Sequence, residues 1–443
     1  MNIKTHIVKM RDNKILFGNI LGTFFIKGFS LVVNLVTVTV YLNYFENQQV
    51  LGIWLAIQSI LNWVLTFDMG IGNGLRNTLT KYIILNDFKM QKKCISSAYI
   101  VLGIISLIIS ILGTKIIQMV NWNNFLNISP EIIPAKVLIC TIQMSFVGLM
   151  LYFWLKLIFS ILYALQKNAI ANLISLISNS LILVFAILFK GKSISSSLIV
   201  LSSVQIMTLN LPIILTTIII FKKKLKRAKP SFRAYDKEFA LKILKLGYMF
   251  FWVQITLLVL NSTNDLIITR LYGPEYVVEY NVYNRVFMLF VSFFSIITNP
   301  VWSSVSNEYN KKNILKISKI YKYLNALGIF VCGLCFIIIP IFPFIIKIIV
   351  GSANIKSNVI YALSFAIFSS VMIMTSSITC IANGINDLKP QMVGNTIAAL
   401  LKIPIAIFAS YYFNSWICIV WINTMLMIPS LILQLVSLKK KLI

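Results

Sequence analysis

Six basic residues stand inside or at the ends of stretches that are otherwise almost wholly apolar; Lys115 and Lys136 lie close enough to an interface to snorkel, which leaves Lys27, Lys156, Arg285 and Lys402. Cations in such surroundings are costly to retain, and those that persist face protein or water rather than lipid. Lys27 and Lys402 lie near the midplane, and Lys27 has roughly 18 Å of helix between it and either end of its apolar run at 1.5 Å rise per residue, beyond the reach of its own side chain. An ammonium there, or a guanidinium able to hold two oxygens at once, supplies charge-assisted hydrogen bonds to phosphate or diphosphate. These four outweigh Asp265 and the peripheral Asp68. The interior they line is therefore read as net positive and suited to an anion. A carrier of organic cations would show the opposite balance.

Reactive chemistry has little to work with. The single histidine, His6, falls in a polar tail, and the six cysteines are scattered singly apart from Cys332 and Cys335. Zinc, haem and histidine-based catalysis are thereby disfavoured, and no cofactor or metal is expected. The 12 acidic residues form no cluster of the kind a membrane-embedded glycosyl- or phosphotransferase would need at a membrane face. The chain reads as a non-enzyme.

A second constellation is the stretch FDMGIGNGLRN, Phe67 to Asn77, where Asp68, Gly70, Gly72, Gly74 and Arg76 follow an apolar run. Its glycines lack the Lys-Ser/Thr of a phosphate-binding loop and follow a membrane helix instead of a strand, so nucleotide binding fails on context. ATP-driven activity is improbable for the same reason. The glycines are expected to let the helix unwind or bend as an inner gate, with Arg76 among lipid phosphates.

The elements that must carry these residues follow from composition. With 443 residues, 58% hydrophobic, 12% charged and mean hydropathy +0.87, the chain is an integral membrane protein. A twenty-residue window places twelve spans near 15–42, 49–68, 96–119, 135–164, 169–189, 197–221, 245–270, 277–301, 323–349, 357–382, 390–413 and 415–438. With the N-terminus inside, only Lys190, Lys192, Arg270, Lys347 and Lys356 fall in outer connections, and most other basic residues fall in inner ones. Both termini are thus expected to be cytoplasmic. The net charge of +28 is explained by this topology, without nucleic acid. The polar segment Lys222–Lys242 lies between spans six and seven, suggesting a six-helix bundle at 1–221, a basic connector at 222–244 and a second bundle at 245–443.

Helical spacing then groups the polar residues. Thr23, Lys27, Ser30, Asn34, Thr37 and Tyr41 form one stripe along span one. Trp54, Gln58 and Asn62 form another on span two, Gln254, Asn261, Asn264 and Asp265 share a face of span seven, and Asn281 with Arg285 and Asn395 with Lys402 mark spans eight and eleven. Each stripe reads either as interhelical hydrogen bonding or as the lining of one interior cavity. The cations favour the cavity, with Lys27, Lys156, Arg285, Lys402, Asn34, Asn281 and Asp265 as its candidate binding residues.

The run Asp68-Met-Gly70-Ile-Gly72-Asn73-Gly74-Leu-Arg76-Asn77, preceded by Gly52-Ile53-Trp54, resembles the Wzx-type polysaccharide flippases of the MOP exporter superfamily. Asn264-Asp265, Gly273-Pro274 and Tyr280-Asn281-x-x-x-Arg285 add to the likeness. The resemblance implies an all-α, MATE-like fold of two six-helix bundles in the bacterial plasma membrane. It also implies alternating access that moves undecaprenyl-diphosphate-linked oligosaccharide units for O-antigen, lipopolysaccharide or capsule synthesis. The lipid bilayer and a polysaccharide polymerase are the further partners it implies. A MATE-like antiporter of small organic solutes is the alternative, for which Asp265 is the one candidate acidic cation site.

Overall fold

The computed structural model describes residues 18–442 except 20, 31, 32, 34, 35, 38, 39, 42, 67–69, 127, 190–192 and 351–356. The described residues between 18 and 45 are mostly helical. They are followed by α1 (Gln48–Thr66), α2 (Ile71–Ile84), α3 (Phe88–Met119), α4 (Ala135–Leu155), α5 (Leu157–Ala164), α6 (Asn168–Leu188), α7 (Ile194–Lys223), α8 (Lys237–Ser262) and α9 (Asn264–Leu271). The chain continues with α10 (Pro274–Asn310), α11 (Ile314–Ile337), α12 (Phe342–Val350), α13 (Val359–Gly384), α14 (Lys389–Tyr412) and α15 (Ile417–Leu442). Ten helices among the described residues are long and apolar enough to cross a membrane. With α1 and the first helix the architecture agrees with the twelve spans expected, and the all-α fold class is as read from the sequence.

The chain divides into two compact units, Met1–Tyr248 and Met249–Ile443. Each buries its own core. Trp54, Leu75, Leu162 and Leu198 are at most 0% exposed in the first, and Phe287, Phe342, Phe365 and Ile419 likewise in the second. Large apolar side chains such as Phe29, Leu188, Phe330 and Leu400 are exposed instead. In a bilayer such side chains meet lipid tails at no hydrophobic cost, as the apolar windows required.

Polar residues at helix ends set the boundaries. Asp87 accepts from the Met90 amide at 3.0 Å and Asn313 from the Lys316 amide at 3.3 Å, while Ser193 and Ser196 form a reciprocal capping box at the start of α7. One turn recurs in both units. Asn86, Gln166, Lys312 and Asn386 take positive φ values of 53°, 56°, 58° and 62°. In each case the following amide returns to a carbonyl five residues back: Asp87 to Tyr82, Lys167 to Leu162, Asn313 to Glu308 and Asp387 to Ala382.

Three segments differ from the sequence reading. Where Gly70, Gly72 and Gly74 are expected to let the helix unwind or bend, the chain turns at Gly70 and then runs as the regular helix α2, with Arg76, Asn77, Thr78 and Thr80 buried. Span seven, read as one face, is broken at Thr263 between α8 and α9, so Asn264 is buried while Asn261 and Asp265 are exposed. The connector is folded: α7 runs to Lys223, two short 3-10 turns follow at Lys226–Ala228 and Phe232–Ala234, and α8 begins at Lys237.

Candidate functional site

In the first unit, Thr23, Lys27 and Ser30 lie on successive turns of the first helix. Thr23 is 1% exposed and its hydroxyl accepts from Asn172 Nδ2 at 3.3 Å, whereas Lys27 is half-buried. Farther along, Thr37 and Tyr41 line a cavity of about 430 Å³ with mixed polar and apolar walls, together with Gln58, Tyr152, Asn179 and Gln205. Gln58 and Gln205 pair through their amides, 3.0 Å in one direction and 2.5 Å in the other. The stripe inferred from spacing thus serves two ends: interhelical bonding at Thr23, and at Thr37 and Tyr41 the wall of a cavity with no charged residue among its described lining. Asn34 and Asp68 lie outside the described residues.

Lys156 occupies the joint between α4 and α5, with Nζ 4.9 Å from the centroid of the Phe153 ring. Arg76 differs from its expected place among lipid headgroups. It is 2% exposed, its guanidinium carbon 5.0 Å from the Tyr163 ring centroid. The three glycines also separate by role. Gly70 turns the chain at φ 61° ahead of α2, a left-handed value that costs any residue with a Cβ. Gly72 and Gly74 sit within the helix and permit close approach. A Cβ on Gly72 would lie 2.5 Å from Ser160 Oγ, and one on Gly74 would lie 3.0 Å from the Ile243 carbonyl oxygen.

The second unit holds a connected polar group around a buried lysine. Lys402, 0% exposed on α14, points its ammonium at the break between α8 and α9. It donates to the Leu260 carbonyl at 2.5 Å, to Asn264 Oδ1 at 2.6 Å and to the Val259 carbonyl at 3.3 Å. These carbonyls belong to the last turn of α8, where the intrahelical ladder ends and the helix dipole favours a cation. Asn423 Nδ2 donates to the same Asn264 oxygen at 2.9 Å, and Asn264 Nδ2 donates to Tyr280 OH at 2.8 Å. The described partners of this buried ammonium are all neutral.

Asp265, Asn281 and Arg285 occupy the other side of the break. Asp265 is exposed and accepts from Asn281 Nδ2 at 3.4 Å, and Arg285 lies exposed one turn farther along α10. The structure therefore brings Asp265 and Asn281 together and places Lys402 apart from them, inside the unit. Asn423, Asn172 and Gln205 were missed from the sequence. Asn423 had a signal, a lone amide in the apolar run ICIVWINTML, of the kind that hydrogen-bonds across membrane helices.

A family model described as MatE matches residues 251–408. An outward-facing conformation of a multidrug resistance MATE family transporter of the MOP superfamily superposes with a TM-score of 0.75 at 14% identity, covering 96% of this chain and 94% of that one. The fold is that of the MATE transporters. A MATE in the bent conformation gives a TM-score of 0.78 at 14% identity, over 96% and 93% of the two chains. A MOP superfamily transporter from Pyrococcus furiosus, whose binding pocket is described as of reverse polarity, suggesting a different function, gives 0.75 at 15% identity, over 97% and 96%. No curated protein matches the sequence.

Proposed function

We propose that this chain is a flippase that moves undecaprenyl-diphosphate-linked oligosaccharide units across the bacterial plasma membrane by alternating access, for surface polysaccharide synthesis. The observation that carries this reading is the sign of the retained charge. The second unit keeps the ammonium of Lys402 wholly buried among neutral acceptors. The buried carboxylates of that unit, Glu308 and Asp387, are paired with lysines, so the charge buried among neutral partners is positive, the opposite of what a cationic cargo would select. The MATE fold supports transport, and the Pyrococcus furiosus relative's reverse-polarity pocket supports a departure from drug export within that fold.

In this reading Lys27 and Arg285 are the diphosphate-binding cations. Lys27 is half-buried on a polar stripe, and Arg285 is exposed beside the Asp265–Asn281 pair. Asn281 and Asp265 orient the guanidinium and meet sugar hydroxyls, and the polyprenyl tail remains in lipid. Lys402 positions the helix break that presents Asp265, while Lys156 serves the α4–α5 joint. The polymerase is the downstream partner. The second reading, a MATE-like antiporter of small organic solutes, is favoured by the likeness to multidrug resistance transporters and would use Asp265 as its cation site.

The test is complementation of glycan export in a flippase-deficient bacterial strain, with protein abundance checked by blotting. Lys27→Ala and Arg285→Ala should each abolish surface glycan, and Lys27→Arg should retain part of it. Normal export by an abundant double Ala variant would sink the assignment. Rescue of Arg285→Ala by Asp265→Asn would show instead that the guanidinium serves only to neutralise the carboxylate.

A further inference from the structure

The first unit carries an open-sided groove of about 1230 Å³ that shares no lining residue with the 430 Å³ cavity or with Lys27, Lys156 and the Gly70–Arg76 turn. Its walls come from α3, α4 and the second half of α7 and are apolar over most of their length, with Ile104, Leu107, Val147, Leu151, Trp154 and Ile218 along them. Trp154 is drawn close to α3: its Nε1 donates to the Tyr99 carbonyl at 2.9 Å, and a Cβ on Gly103 would come within 3.0 Å of that nitrogen. Glycine here opens room for the indole, which forms part of the groove.

One end is different in kind. The connector places Lys222, Lys229, Ser231 and Phe232 there. Both lysines are exposed, and Phe232 is 87% exposed. This end is held in place by the chain. The Ser231 amide donates to Ser96 Oγ at 3.0 Å, the Asp236 amide donates to Ser97 Oγ at 3.0 Å, and Lys93 pairs with the Asp236 carboxylate at 2.8 Å. The Arg227 guanidinium lies 5.2 Å from the Phe88 ring centroid, and Ala228 is fully buried beneath it. A hydrocarbon slot ending at two exposed lysines on a held stretch of chain, next to an exposed aromatic ring, complements a long chain with a phosphate at its end. A neutral apolar ligand would leave the lysines unused, and a soluble phosphate would leave the slot empty.

The geometry points to a site for an anionic glycerophospholipid of the surrounding bilayer, its acyl chain along α3, α4 and α7 and its phosphate at Lys222 and Lys229. Because the groove and the residues assigned to the cargo are separate, the site stands whether or not the flippase reading holds.

The experiment uses the full-length protein in phosphatidylcholine vesicles containing graded amounts of brominated phosphatidylglycerol or brominated phosphatidylcholine. Tryptophan quenching is measured in the wild type and in Trp154→Phe, and their difference isolates the groove. Phosphatidylglycerol should quench the Trp154 component at a mole fraction roughly tenfold lower than phosphatidylcholine, and Lys222→Gln/Lys229→Gln should reduce that preference to within about twofold. Equal quenching by both lipids in the wild type, or an undiminished preference in the lysine variant, overturns the assignment. Undecaprenyl phosphate is then added as competitor. Displacement no better than that by unbrominated phosphatidylglycerol supports the phospholipid, and markedly stronger displacement assigns the groove to the carrier lipid and overturns it. Should Trp154→Phe not fold, native mass spectrometry of the wild type and the lysine variant decides the same question, by whether phosphatidylglycerol retention falls.

Discussion

The described partners of the Lys402 ammonium are two main-chain carbonyls and an amide oxygen. The Val259 carbonyl also accepts from Thr263 Oγ1 and Asn264 Oδ1 from Asn423 Nδ2, so removing the ammonium strands chiefly the Leu260 carbonyl, and an unpaired buried group costs about 1–3 kcal/mol. Lys402→Met should therefore lower the melting temperature of the detergent-solubilised protein measurably, with Lys402→Gln intermediate because an amide can still donate. A Lys402→Met protein as stable as wild type but inactive would instead place this cation at the cargo. The sequence made the residue conspicuous through its charge in an apolar run, yet spacing alone could not say which face of α14 meets the break, because the break itself was hidden. Nothing in ITLLVLNSTNDLIITR forbids a continuous helix: it contains no proline and no glycine. The interruption at Thr263 is met by tertiary partners, Lys402 and Asn423, that lie far away in the chain.

At the scale of elements, α2 shows why a glycine pattern is ambiguous. Glycine marks either a backbone that must turn left-handed or a surface that must be approached closely, and the letters are the same. Gly70 is of the first kind and Gly72 and Gly74 of the second. Their alanine variants should accordingly differ in cost. Gly72→Ala meets a serine hydroxyl that can rotate away and should be mild, while Gly74→Ala meets main chain near Ile243 and should be worse. Gly70→Ala adds about 1–2 kcal/mol of left-handed strain. Thermal stability of the three purified variants checks the order, and a transport loss in Gly70→Ala at unchanged stability would speak for a gate. The connector offers a pH test. The Lys93 hydrogen bond, followed by that of the Phe239 amide, holds the Asp236 carboxyl below the usual carboxylate range. A depressed acid stabilises the fold above its unfolded pKa and loses that contribution as pH falls through its folded one. The stability difference between wild type and Asp236→Asn should thus be present at pH 7 and shrink below about pH 4. A difference that stays constant across that range would remove the ion pair from the account of how the connector is held.

For the molecule as a whole, hydropathy and charge were enough for the class of fold, because a bilayer imposes span length and loop charge directly on the sequence. The likeness between the halves was not legible in letters. It lies in backbone geometry: a left-handed residue and a return hydrogen bond at Asn86 and Gln166 in one unit recur at Lys312 and Asn386 in the other, carried by different side chains. The charge distribution also makes a topological prediction. Single cysteines placed at Arg227 and at Lys440 should both be labelled from the cytoplasmic side, and labelling of the two from opposite sides would break the twelve-span arrangement. The central claim concerns cargo, and it is tested most directly in vesicles reconstituted with the purified protein. Movement of an undecaprenyl-diphosphate-linked oligosaccharide between leaflets is followed by its accessibility to an external glycosidase. The wild type should expose the inner pool, and Lys27→Ala/Arg285→Ala should slow that exposure by roughly tenfold or more, as expected for lost charge-assisted hydrogen bonds. Failure of the active wild-type protein to move this lipid, in vesicles where it exports a small organic cation, would contradict the claim.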